Sequence, residues 1–219
     1  YGLIFELIYQ KQHITIENEQ LKNENLQTRY NMLANQISPH FLFNSLNSLS
    51  MLVREKSNDK ALLYIDRLAD TFRYMLQSGQ GELTTLSEEL RFTEAYLYLL
   101  TIRYENKLFC DIRIEDRYRD WKLPVLSLQP LIENAVKHNS ISRTKPLRIA
   151  IRTDDGTLVV SNPLIPKIDE TTGTGIGLKN LSSRYLLLTS QQVRIIRTDD
   201  AFEVILPLIE FPNPIKSLS

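Results

Sequence analysis

The sequence predicts an α+β protein: a helical first third, followed by a segment in which strands and helices alternate. Three observations carry this. Before residue 81, apolar residues recur every three or four positions, the period of one helix face. After it, Leu108, Cys110, Ile112 and Ile114 alternate with Phe109, Asp111 and Arg113, the period of two that marks a strand. Helical signals then interrupt the strand-like runs, which favours one mixed sheet with helices on one face. The predicted division is 1–80, a helical dimerisation region, and 81–211, an α/β sandwich.

Residues 10–35 are rich in Gln, Asn, Glu and Lys, without Gly or Pro, and Leu26, Tyr30, Leu33 and Ile37 form a heptad seam. Pro39 lacks a backbone donor, so a bend and a phase shift are expected there. Leu42, Leu46, Leu49 and Val53 continue the helix, and Arg54–Asp59 reads as a turn. Ala61, Leu62, Ile65, Leu68, Ala69, Phe72, Met75 and Leu76 give an amphipathic second helix that ends at Ser78–Gly81. Two antiparallel helices hold too little core, so a homodimer forming a four-helix bundle is expected.

Thr85 and Glu88 fit a capping box that opens a helix to about Tyr104. Further helices are predicted over roughly 126–138 and 177–189. Strands are predicted at 147–153, 157–161, 192–198 and 202–206.

The chain's 219 residues suit one large domain or two modest ones. Its 26 basic and 26 acidic residues balance, which removes the electrostatic case for nucleic-acid binding. Cys110 is the single cysteine, so no internal disulfide forms, as suits a reducing compartment. The apolar opening Tyr1–Tyr9 is too short to span a bilayer. It reads equally as the tail of an upstream membrane anchor or as the start of a soluble helix.

Three segments carry candidate chemistry. Around Ser38-Pro39-His40-Phe41-Leu42-Phe43-Asn44, an imidazole can accept a phosphoryl group, and Asn44, one turn on, can orient a water or that group. Alone, His40 reads better as a polar interruption that sets bundle register. In Gln129-Pro130-Leu131-Ile132-Glu133-Asn134-Ala135-Val136-Lys137-His138, one face is apolar and Glu133, Asn134, Lys137 and His138 share the remaining arc. An amide oxygen suits Mg²⁺, a lysine suits phosphate, and a carboxylate can polarise an acceptor. A solvated face is the plainer reading of that arc. Gly173-Thr174-Gly175-Ile176-Gly177-Leu178 would let backbone amides approach phosphates, or form a flexible lid. It matches neither the dinucleotide nor the P-loop pattern.

Together and in this order, the segments resemble the LytS-like sensor histidine kinases: a phosphoacceptor motif at 38–44, an N box at 129–138 and a glycine box at 173–178 followed by Asn180 and Arg184. The resemblance covers about Leu26–Leu206. It implies a helical-hairpin dimerisation bundle followed by a Bergerat-type ATP-binding domain, in the cytoplasmic portion of an inner-membrane protein. His40 would accept the γ-phosphoryl group of ATP and pass it to an aspartate of a response regulator. Asn134 would coordinate Mg²⁺, Lys137 and His138 would approach the phosphates, and Gly173, Gly175 and Gly177 would shape the lid.

Two departures from the wider superfamily stand out. Asn162, in Val160-Ser161-Asn162-Pro163-Leu164, occupies the place of the aspartate that accepts the adenine amino group; its carbonyl can accept that bond without charge assistance. Phe41 replaces the acidic residue often found after the phosphoacceptor, which leaves Glu133 as the candidate base. A dimeric signalling module that no longer phosphorylates is the alternative reading.

Overall fold

The computed structural model describes residues 39–77, 83–105, 107–165 and 176–210. Two compact units divide between Leu42 and Phe43, and of the first only the helical stretch 39–42 is described. The heptad seam, the expected bend before Pro39, the 78–82 connection, Gly173 and Gly175 lie outside the described residues.

Helix α1 spans Pro39–Arg54 and α2 spans Asn58–Gln77. The turn between them is a Schellman cap. Ser57 N–H donates to Leu52 C=O and Lys56 N–H to Val53 C=O, both at 3.0 Å, with Lys56 left-handed at φ 55°. The buried stripe of α1 is Ser45, Ser48 and Leu52, while the expected Leu46 and Val53 are exposed. The small serines leave room for the fully buried Tyr64 of α2, whose hydroxyl they bond. Helix α2 likewise buries Ala61, Tyr64, Leu68, Thr71 and Met75 and leaves Leu62, Ile65 and Leu76 open.

Helix α3, Leu86–Tyr104, opens with the anticipated capping box. Glu88 N–H donates to Thr85 Oγ1 at 3.2 Å, and Thr85 N–H donates to the Glu88 carboxylate at 3.3 Å. It is buried around much of its circumference because α2, strand β1 (Leu83–Thr85) and strand β2 (Leu108–Arg113) all contact it. Tyr74 of α2 stacks on its Phe92 with ring centres 4.7 Å apart.

Strand β1 pairs antiparallel with β3 (Lys122–Pro124), a two-stranded sheet not anticipated from sequence; three-residue strands are too short to show periodicity. The main sheet adds β4 (Leu147–Asp154), β5 (Thr157–Pro163), β6 (Arg194–Arg197) and β7 (Ala201–Pro207) to β2, in the order β2-β4-β5-β7-β6. The β2–β4 pairing is parallel and the others are antiparallel, so the sheet is mixed and the fold α+β. Leu147, Ile149, Ile151, Leu158, Val160, Val204 and Leu206 supply its core. The β4–β5 hairpin turns on Asp155-Gly156, both with positive φ, and a Cβ on Gly156 would come within 3.3 Å of Trp121.

Helix α4 is Gln129–His138, shorter than expected at its start. Residues 126–128 form a turn instead, with Leu126 in the left-handed region at φ 56°. Helix α5 is Ile176–Thr189 and packs against α4. A Cβ on Gly177 would meet Pro130 at 4.0 Å, ordinary contact.

Candidate functional site

Helix α4 presents two faces. Leu131, Ile132 and Ala135 are buried; Glu133 and Lys137 are exposed, and Asn134 and His138 are half-buried between them. The 3.6-residue period thus brings all four candidate residues onto the accessible arc. The Asn134 amide bonds none of the described residues. An unengaged carbonyl oxygen of this kind fits a hard cation such as Mg²⁺, which takes oxygen ligands and keeps part of its shell from water or phosphate.

Its neighbour Glu133 is held firmly. Tyr96 Oη donates to Glu133 Oε1 at 3.0 Å, and Gln129 Nε2 donates to the same oxygen at 2.9 Å. Both bonds end on Oε1, so Oε2 bonds none of the described residues. The buried Tyr96 phenol is pushed well above its ordinary pKa, first by burial and then by the adjacent Glu133 charge, so it stays a donor. Gln129 lies one turn before Glu133 and is legible in sequence; Tyr96 is 37 residues away and is not.

The C-terminal end of α4 is tied to the end of β5. Asn139, buried, donates from Nδ2 to Ala135 C=O at 2.8 Å, and its Oδ1 accepts from Ile165 N–H. Ser140 N–H donates to Ile165 C=O at 2.8 Å. These bonds tie Ile165, three residues past Asn162, to the two residues that follow His138. Asn162 itself is buried on β5, opposite Phe202 of β7, and its Nδ2 donates to Pro163 C=O at 2.8 Å. Gly177 sits in the first turn of α5, against Pro130 of α4.

His40 is an exposed residue of the described stretch 39–42, and Asn44, four residues on in α1, is half-buried. The Asn44 Nδ2 is buried and has no hydrogen-bond partner among the described residues. A cleft of about 490 Å³ lined by Arg67, Asp70, Arg73, Glu88 and Arg91 runs between α2 and α3 and does not include Asn134.

Sequence reasoning missed a buried carboxylate. Glu89 of α3 is fully buried and accepts from Leu126 N–H at 3.0 Å, Leu128 N–H at 3.0 Å and Tyr74 Oη at 2.9 Å. Burial raises its pKa, while these donors pull it back.

A helical hairpin that carries His40, followed by an α+β segment in which one helix carries Glu133, Asn134, Lys137 and His138 on its accessible arc, fits the histidine kinase class. A family model described as "Histidine kinase" matches residues 28–108. "Sensor histidine kinase/phosphatase LytS" of Staphylococcus aureus strains Mu50 and N315 is 35% identical over 166 residues, covering 68% of this chain and 28% of each relative. The chain belongs to the LytS-like histidine kinase family. It spans less than a third of the length of those curated relatives. Among solved structures, the cytoplasmic segment of histidine kinase QseC is 15% identical with a TM-score of 0.44, covering 70% of this chain and 95% of that one. Acinetobacter baumannii histidine kinase AdeS is 11% identical with a TM-score of 0.40, covering 85% and 98%. Both are too distant to add to the sequence relationship. No helix among the described residues is long and apolar enough to cross a membrane.

Proposed function

We propose that this chain is the kinase portion of a two-component sensor: it binds ATP against α4 and transfers the γ-phosphoryl group to His40, which passes it to an aspartate of a response regulator. The observation that carries the reading is the accessible arc of α4, where an Asn134 amide that bonds none of the described residues sits beside a fixed Glu133 carboxylate and one turn from Lys137 and His138. When bound with the nucleotide, Mg²⁺ would be held by Asn134 and the phosphates and would supply charge neutralisation.

The chain's own residues do the rest. Lys137 and His138 attract the phosphates, and Asn162 accepts the adenine amino group through its carbonyl. Gly173, Gly175 and Gly177 let backbone amides approach the triphosphate. Glu133, oriented through Oε1, offers Oε2 to the proton leaving the His40 imidazole. Asn44 orients the incoming group. Phosphoryl transfer needs mostly positioning and charge neutralisation, which are the roles given to these residues. The chain acts as a homodimer whose hairpins form the bundle, and in the whole protein it lies on the cytoplasmic side, downstream of a membrane anchor.

Incubation with γ-labelled ATP and Mg²⁺, followed by mapping of acid-labile phosphate, tests the reading. Label on His40, lost in His40→Ala and in Asn134→Ala, is expected. Undiminished labelling in His40→Ala sinks the acceptor assignment. Nucleotide binding without any label would favour the non-phosphorylating module.

A further inference from the structure

The Leu126–Leu128 turn, which sets where α4 begins, is gripped from both sides by charged groups, the buried Glu89 and the half-buried Arg184. Leu126 is a non-glycine residue at φ 56°, a conformation that costs about 1 kcal/mol or more and persists only where its surroundings over-determine it. Its N–H donates to Glu89 Oε2 at 3.0 Å, and its C=O accepts from Arg184 Nη2 of α5 at 2.9 Å. Two residues on, Leu128 N–H donates to the other Glu89 oxygen at 3.0 Å. Ser127 between them is fully buried.

The same carboxylate reaches the hairpin. Tyr74, in the last turn of α2, donates to Glu89 Oε2 at 2.9 Å. Burial pulls the Arg184 pKa down while the Glu89 charge holds it up, so the two groups sense each other across the turn. A fully buried carboxylate is costly unless it does something that apolar packing would not. Here it fixes a strained peptide, one helix start and one hairpin helix at a single point.

We propose that Glu89 and Arg184 are positioning residues for the nucleotide site, clamping the strained Leu126 peptide so that α4 presents Asn134 in place, and that Tyr74 couples α2 to the same clamp. The nucleotide part of this rests on the function proposed above. Gln at position 89 keeps the shape but turns an NH₂ donor toward either the Leu128 amide or the Leu126 amide and Tyr74 hydroxyl. One donor would then face another donor in a dry site.

Hydrogen exchange by mass spectrometry and calorimetry with Mg²⁺·ADP, on the native chain, Glu89→Gln and Tyr74→Phe, separate the cases. In Glu89→Gln, exchange across 126–134 should speed up at least tenfold and nucleotide affinity should fall about tenfold. In Tyr74→Phe the acceleration should move to the last turn of α2, with 126–134 within twofold of native. Native exchange across 126–134 in Glu89→Gln overturns the clamp, and unchanged exchange of α2 in Tyr74→Phe overturns the coupling. Faster exchange with unchanged affinity overturns the link to the nucleotide site. Should Glu89→Gln fail to fold, Arg184→Lys, which keeps the charge but loses the fork, reads the same segment; native exchange there is equally fatal. A native chain that binds no nucleotide refutes the function proposed above, while the exchange rates still judge the clamp.

Discussion

Glu133 and Asn134 are adjacent in sequence, yet the fold treats them oppositely. Glu133 is pinned by two donors on one oxygen, whereas Asn134 bonds none of the described residues. Orientation of a base and availability of a ligand are different demands, and the roles proposed for Glu133 and Asn134 call for such a contrast. Removing the Tyr96 hydroxyl should therefore hurt turnover more than binding. Tyr96→Phe is expected to lower the autophosphorylation rate about fivefold, the worth of roughly 1 kcal/mol of orientation, with Mg²⁺·ADP affinity within twofold by calorimetry. An unchanged rate would remove Glu133 from the role of base. Cys110 illustrates the opposite case, a reactive residue made inert. Burial, with help from the Asp111 charge, pushes its thiol from 9.0 up to about 12. Below that pH the group stays protonated, so at pH 8 it should react with iodoacetamide about a thousandfold more slowly in the folded chain than in urea. Mass spectrometry of the alkylated fraction over time checks this. Of the site, what was legible in sequence was what one helix can state by itself: the spacing that puts Glu133, Asn134, Lys137 and His138 on one arc. The Tyr96 contact with Glu133 and the Glu89 contacts with Leu126 and Leu128 span 37 to 39 residues, and no local pattern reports them.

Elements with local start signals were the readable ones. The Thr85/Glu88 box lies within four residues of chain and fixes the first turn of α3 where the sequence places it. Thr85→Ala leaves the Glu88 amide without its acceptor and should cost about 1 kcal/mol, seen as a melting temperature about 2–4 °C lower by calorimetry. A drop below half a degree would mean water replaces the cap at no cost. Helix α4 shows where local reading stops. The apolar pattern continues back to Leu126, but the amides of Leu126 and Leu128 donate to the Glu89 carboxylate and the chain turns there. A tertiary acceptor overrides helix propensity. In α1 and α2 the helices were legible, as were Ala61, Leu68 and Met75 of the inner face, but the inward Ser45, Ser48, Tyr64 and Thr71 were not. Ser45 and Ser48 turn inward because Tyr64 needs both the space and the hydroxyls. The leucines then face out.

Those outward leucines set a problem for the whole molecule. Phe43, Leu46 and Val53 on α1, and Leu62, Leu63, Ile65 and Leu76 on α2, all remain exposed in a single chain, Phe43 at 66% and Leu62 at 63%. Scattered surface leucines are ordinary, but rows of them along two adjoining helices suit the second copy proposed above. Each helix has already used one face, α1 on Tyr64 and α2 on α3, so the second apolar face is free for a second copy. Full burial of one such side chain is worth about 1.5–3 kcal/mol, so a handful per protomer exceeds the roughly 8 kcal/mol of a micromolar dimer before association costs are met. Charges at the centre of α2 should reverse that balance. Leu62→Glu with Ile65→Glu is expected to convert a dimer to a monomer in sedimentation equilibrium at micromolar concentration. The helical circular dichroism should stay unchanged, because the Tyr64 face that packs on α3 is untouched. Autophosphorylation in mixtures of that variant with native chain then reads whether the lost dimer, rather than lost folding, removed activity. A double variant that remains dimeric would mean this face is not what joins the two copies.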